Sequence, residues 1–256
     1  MRSLFSPVTV FKLGILLSPM SLCSAFHKAT RDFFPKRYLK KNGVLEVLSR
    51  GETTEIAIVH GDLARIHKLI RTRKPRVVLE FGVGFSTLVI AHALGQNEIG
   101  HLFTVDASKQ WLDNTGKKLG KLASYVTLQQ SDVVAAEYGG QLVSRYVKLP
   151  NVTPDFIYLD GPSPLDISGD VNGLSFNLGD SEYRHLVAAD IILYESTLRV
   201  GAFVLADRRY MNIQFLRNNL KRKWKIHWDR VQHQVGFELR EMTGRSFKCV
   251  DHSQNQ

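Results

Sequence analysis

From residue 75 onward, short apolar runs alternate with amphipathic stretches. Val77 to Phe81 is almost continuously apolar, the pattern of a strand buried on both faces of a parallel sheet. Phe85 to Leu94 reads as a helix, His101 to Val105 as a second strand, and Lys109 to Leu122 as a second helix. Tyr125 to Leu128 predicts a third strand, followed by a helix from Val133 to about Tyr146. Phe156 to Leu159 predicts a fourth strand, and Tyr183 to Leu198 a long helix. Gly201 to Leu205 predicts a fifth strand, with a helix from Met211 to Leu220 after it. Two alternating runs close the pattern, Trp224 to Trp228 and Val235 to Leu239. The gap between them is too short for a crossover helix, so they pair as an antiparallel hairpin. The expected fold is α/β: a Rossmann-like, doubly wound, mostly parallel seven-stranded sheet ending in a C-terminal antiparallel hairpin. Residues 55–245 form that domain, with an N-terminal extension or lid over 1–54 and a polar tail over 246–256.

Ligands of such sheets bind beyond the carboxyl ends of the strands, and there the sequence places acids. The first strand contains Glu80 and runs into Gly82-Val83-Gly84-Phe85-Ser86, a turn in which glycine lets the backbone approach a ligand. The second strand ends in Asp106, placed to accept from ribose hydroxyls or to cap a helix. Ser131-Asp132 follows the third strand, Asp160-Gly161-Pro162 the fourth, and Asp207-Arg208-Arg209 the fifth. An acid at all five ends is a stronger signal than any one of them. Position 87 is Thr, so the third glycine of a dinucleotide fingerprint is missing.

Composition narrows the reading only a little. Over 256 residues, 44% hydrophobic and 23% charged content excludes a wholly disordered chain. The net charge of +10 comes in short basic runs such as Lys221-Arg222-Lys223, which solvated helix ends and loops explain as well as a nucleic-acid surface does. No recognised nucleic-acid-binding motif accompanies them. The only cysteines, Cys23 and Cys249, make neither a disulfide framework nor a metal cluster, and the expectation is a cytoplasmic protein. Residues 1–31 carry no acid and contain the apolar run Leu13 to Leu17, so a targeting segment stays open there beside the helical extension. The run is too short and interrupted to span a membrane.

Taken in order, Val77 to Gly84, Val105-Asp106, Ser131-Asp132 and Asp155 to Gly161 resemble the motifs of class I S-adenosylmethionine-dependent methyltransferases, over roughly residues 55–240. The resemblance implies that Glu80, Gly82, Gly84 and Ser86 lie at the methionine end of the cofactor. It likewise implies that Asp106 holds the ribose and Asp132 the adenine. Within that superfamily, Tyr158-Leu159-Asp160 with Val204 to Asp207 is similar to the catechol-type O-methyltransferases, which hold a divalent metal with these two acids and an Asn. Here Arg208 stands at the Asn position, and a guanidinium repels a cation. No metal is therefore expected. Asp160 is the candidate base, and Asp207, Arg208 and Tyr183 are candidates for substrate binding. The loop from Ser163 to Glu182 is long enough to act as a substrate-facing lid. The fourth motif reads Asp-Gly-Pro-Ser, which lacks the signature of exocyclic base-amine methylation. O-methylation of a small molecule or saccharide is the expected activity. An RNA or protein methyltransferase, or a non-catalytic nucleotide-binding module, remains the alternative.

Overall fold

A computed structural model describes residues 33–50, 59–207, 209–229 and 234–241. Its main sheet has the order β3-β2-β1-β6-β10-β12-β11, built from β1 (Val77–Phe81), β2 (His101–Asp106), β3 (Val126–Gln130), β6 (Phe156–Leu159), β10 (Phe203–Ala206), β11 (Trp224–Asp229) and β12 (Gln234–Leu239). Neighbours from β3 to β10 are parallel, while β12 is antiparallel to both β10 and β11. The seven strands and the closing hairpin are those the sequence predicts, and β12 lies between β10 and β11.

Side chains alternate across the sheet and both faces are buried. Leu79, Phe81, Ile157, Leu159 and Val204 enter one core, and Val78, Phe156, Tyr158, Phe203 and Leu205 enter the other. The second core is covered by α1 (33–41), α2 (Val44–Leu48), α3 (His60–Arg73) and α4 (Phe85–Asn97), through Leu39, Val44, Ile66, Ile70 and Leu88 to Leu94. Residues 33–50 of the extension thus pack on the domain; residues 1–32, which include the stretch open to a targeting segment, and the polar tail over 246–256 lie outside the described residues.

Two predicted helices are absent or shortened. Val133 to Tyr146 is a β-hairpin, β4 (Val133–Tyr138) with β5 (Gln141–Tyr146). Its turn is Gly139-Gly140, both with positive φ, 58° and 75°, which suits a tight two-residue hairpin loop. Val-Val-Ala-Ala-Glu-Tyr fits a half-buried strand as well as it fits a helix, and the glycine pair decides between them. The predicted helix from Tyr183 contracts to α6 (Asp190–Glu195). Residues before it are held extended: Ser144 exchanges backbone hydrogen bonds with Val187 and Ala189, 2.7 and 3.0 Å. The Asp190 carboxylate accepts the Tyr146 N–H at 2.9 Å. The long loop is also structured, with β7 (Ile167–Ser168) joining β4 and a small hairpin of β8 (Asn177–Gly179) and β9 (Glu182–Tyr183). The remaining helices are α5 (Lys109–Leu119) and α7 (Tyr210–Asn219).

Candidate active site

Parallel pairing continues one residue past the strands and gathers their ends. Gly82 N–H donates to Val105 O at 2.9 Å, Asp160 N–H to Phe81 O at 3.0 Å, and Asp207 N–H to Leu159 O at 3.1 Å. Gly82, Asp160 and Asp207 are thereby set along one edge. The cleft they border has a volume of about 610 Å³, within the range of small-ligand sites.

One part of the cleft is made of backbone. Gly82 has φ +94°, and a Cβ there would meet the Gly161 N at 2.9 Å. Only glycine allows the β1 and β6 turns to touch this closely. A Cβ on Gly84 would meet nothing within 4 Å, so the turn opens onto free space at the start of α4. Asp106 faces the same space and accepts N–H bonds from Val83 and Ser108, each 2.7 Å. It ties the glycine turn to the next one and does not cap α5; Ser108 does, accepting from Trp111 N–H at 3.3 Å. Burial raises the Asp106 pKa, while those two N–H groups oppose the shift. Ser86, Ser108 and Trp111 complete this wall. A turn with open space, a fixed carboxylate and an indole suit an adenosyl amino acid, whose ribose, ring and amino group need such partners.

Glu80 does not line the cleft. It is fully buried beneath the turn, where the Thr87 hydroxyl donates to it at 2.6 Å and accepts from Gly84 N–H at 3.0 Å. Its role in the structure is to brace the turn through Thr87. Burial pushes its pKa up to about 7. Asp132 is exposed outside the cleft lining because β4 begins directly after it, and Tyr183 sits in β9, also outside. Arg208 lies outside the described residues. Of the long loop, Ser163, Leu165 and Asp166 face the cleft, whereas its β8–β9 hairpin does not.

The other part of the cleft is made of side chains. Tyr158 donates to Asp160 Oδ2 at 3.2 Å. Arg209, next to the sequence-predicted candidate Arg208, reaches across the strand ends: its Nε is 3.2 Å from Asp207 Oδ2, and its Nη1 donates to Pro162 O at 2.8 Å. Its Nη2 donates to the Asp160 carbonyl and lies 3.9 Å from Asp160 Oδ1. Restricted hydration and the Asp207 carboxylate raise the proton affinity of Asp160, with Arg209 opposing. Val59, Asp62 and Leu63, around the start of α3, close this side and carry no sequence signal.

The divalent metal of the catechol-type resemblance does not fit these residues. The Arg209 guanidinium lies beside both carboxylates, 3.2 Å from Asp207 and 3.9 Å from Asp160, and an ion 4 Å from it would meet a repulsion of about 8 kcal/mol at an effective dielectric of 20. Among the described residues no group of three or more His, Cys, Asp or Glu is placed to hold a metal ion. Among them, too, no helix is long and apolar enough to cross a membrane.

No protein-family model and no curated protein matches the chain. Among solved structures it is similar to the SAH-bound methyltransferase PaMTH1 from Podospora anserina, with 14% identity, a TM-score of 0.50, and 94% of this chain and 99% of that chain covered. Other similar structures are cofactor-bound Rv0187 from MTB and the O-methyltransferase TomG from Streptomyces achromogenes in complex with SAM. For Rv0187 the identity is 15%, the TM-score 0.49 and the coverage 88% and 99%; for TomG they are 13%, 0.47, and 83% and 96%. At such identities the likeness carries the fold: the chain has the Rossmann-like fold of S-adenosylmethionine-dependent methyltransferases.

Proposed function

We propose that the protein is an S-adenosylmethionine-dependent methyltransferase acting on a hydroxyl of a small-molecule or saccharide acceptor. The observation that carries this reading is one cleft in which an open glycine turn and Asp106 adjoin the Asp160 carboxylate. The turn over Gly82 to Ser86, Asp106 and Trp111 would hold the cofactor, which when bound supplies a methyl group activated by its sulfonium. The protein's own contribution is alignment and proton transfer. Asp160, with its proton affinity raised, accepts the hydroxyl proton of the acceptor. Tyr158 and Arg209 hold that carboxylate and its loop in place. Five aspartates and one arginine line the cleft, although the chain as a whole is basic. A phosphodiester backbone would be repelled there, which favours a neutral acceptor over RNA.

The test is release of S-adenosylhomocysteine across a panel of phenolic, alcoholic and saccharide acceptors, with Asp160→Asn in parallel. Turnover with one acceptor class, lost in Asp160→Asn, supports the proposal. Turnover only with RNA, rather than with any hydroxylic small molecule, would refute the acceptor assignment.

A further inference from the structure

We infer that Arg209 is the resident cation of the acceptor side, standing in for a metal ion beside two carboxylates that could otherwise hold one. The inference rests on the methyltransferase reading only for its catalytic meaning, since the geometry is independent of any cofactor. Asp160 and Asp207 project from adjacent parallel strands whose register sets them side by side. Two carboxylates so placed favour a shared proton or a cation beside them, and hard cations bind through such oxygens. The guanidinium meets that need. It pairs with Asp207 Oδ2 at 3.2 Å and faces Asp160 Oδ1 at 3.9 Å. It also takes the carbonyls of Asp160 and Pro162, oxygens that a metal could have used. Those carbonyl bonds fix the charge in the loop as well as balancing it.

The consequence is a cation that cannot dissociate or be chelated. Arg209 also lines the cleft, so the same guanidinium can orient an acceptor oxygen beside Asp160. Arg209 is thus a positioning residue whose charge substitutes for a metal, and methyl transfer should be indifferent to chelators.

Manganese binding to the full chain, followed by the electron paramagnetic resonance signal of free Mn²⁺, tests this without cofactor or acceptor. Wild type and Arg209→Lys should leave the signal unchanged. Arg209→Gln should bind Mn²⁺ at least about tenfold more tightly, since the repulsive charge is gone, and Arg209→Gln/Asp160→Asn should lose the gain. A salt bridge serving stability alone would not exchange for a metal in this way. Wild-type binding abolished by Asp160→Asn would overturn the inference, as would a folded Arg209→Gln, checked by circular dichroism, that binds no Mn²⁺. If Arg209→Gln fails to fold, the wild-type and Arg209→Lys titrations still decide, because Mn²⁺ bound through Asp160 in either contradicts a resident cation. Failure of the methyltransferase reading would show separately, as absence of S-adenosylhomocysteine binding.

Discussion

Asp155 and Asp160 flank the same strand, β6, and the two ends of the sheet put identical side chains to opposite uses. At the amino end, Asp155 accepts the N–H groups of Arg76 and Val77 at 2.9 and 3.0 Å, which fastens β6 to the start of β1. At the carboxyl end, Asp160 stands next to a second carboxylate, with an arginine beside both, and borders open space. The first acid has its hydrogen bonds supplied by the fold. The second has a raised proton affinity and a cleft in front of it. The strand direction therefore separates an acid whose bonds fasten two strands from one that borders the cleft, as expected for a parallel sheet.

Substitution can break that contrast. Asp160→Asn should lower turnover by about 1,000-fold, as loss of a general base does, while affinity for S-adenosylhomocysteine stays within a few-fold. Equal loss of both would mean that Asp160 holds the cofactor and is not a base.

Glu80, the penultimate residue of β1, supplies a pH-dependent test. Burial raises its pKa from 4.5 to about 7, so the folded protein keeps a proton that the unfolded chain releases. This contribution to stability is complete below pH 4.5 and disappears as pH rises through 7, a change of about 3 kcal/mol. Asp190, raised from 3.8 to about 7 by burial, adds a parallel loss. Denaturant unfolding at pH 5 and pH 8 should show a smaller difference for Glu80→Gln than for wild type. An unchanged difference would mean that Glu80 is ionised in the folded protein.

A smaller effect is expected where the backbone part of the cleft meets the ligand. Asp106→Ala should weaken S-adenosylhomocysteine binding by about 100-fold, the worth of a charge-assisted hydrogen bond or two. The smallest belongs to the other end of the sheet: Asp155→Asn should cost about 1–2 kcal/mol of stability in thermal or denaturant unfolding and leave cofactor affinity unchanged. A change in affinity there would dissolve the division between the two ends.

The backbone half of this molecule was readable from sequence, and the side-chain half less so. Val77 to Phe81 and Phe156 to Leu159 announce buried parallel strands because both faces are apolar, and the pair Gly82 and Gly84 announces a turn; the positive φ of Gly82 and its contact with Gly161 give the physical reason. Asp106 and Asp160 follow from strand direction alone. Asp132 misled because the third strand runs into the β4–β5 hairpin instead of a helix, leaving its carboxylate exposed. Arg209 carried no signal of its own, since whether an arginine there reaches the strand ends depends on the turn after β10. Asp62, Trp111 and Tyr183 show the same limit: nothing local says which helix or hairpin brings a side chain to the cleft.

The central claim is that the cleft holds the adenosyl cofactor through the glycine turn and Asp106. Calorimetric titration of wild type and Asp106→Ala with S-adenosylhomocysteine tests it most directly. The account predicts micromolar, one-to-one binding by wild type and a large loss in the variant. A folded wild-type protein that takes up no S-adenosylhomocysteine, or an Asp106→Ala variant that binds it equally well, would contradict it.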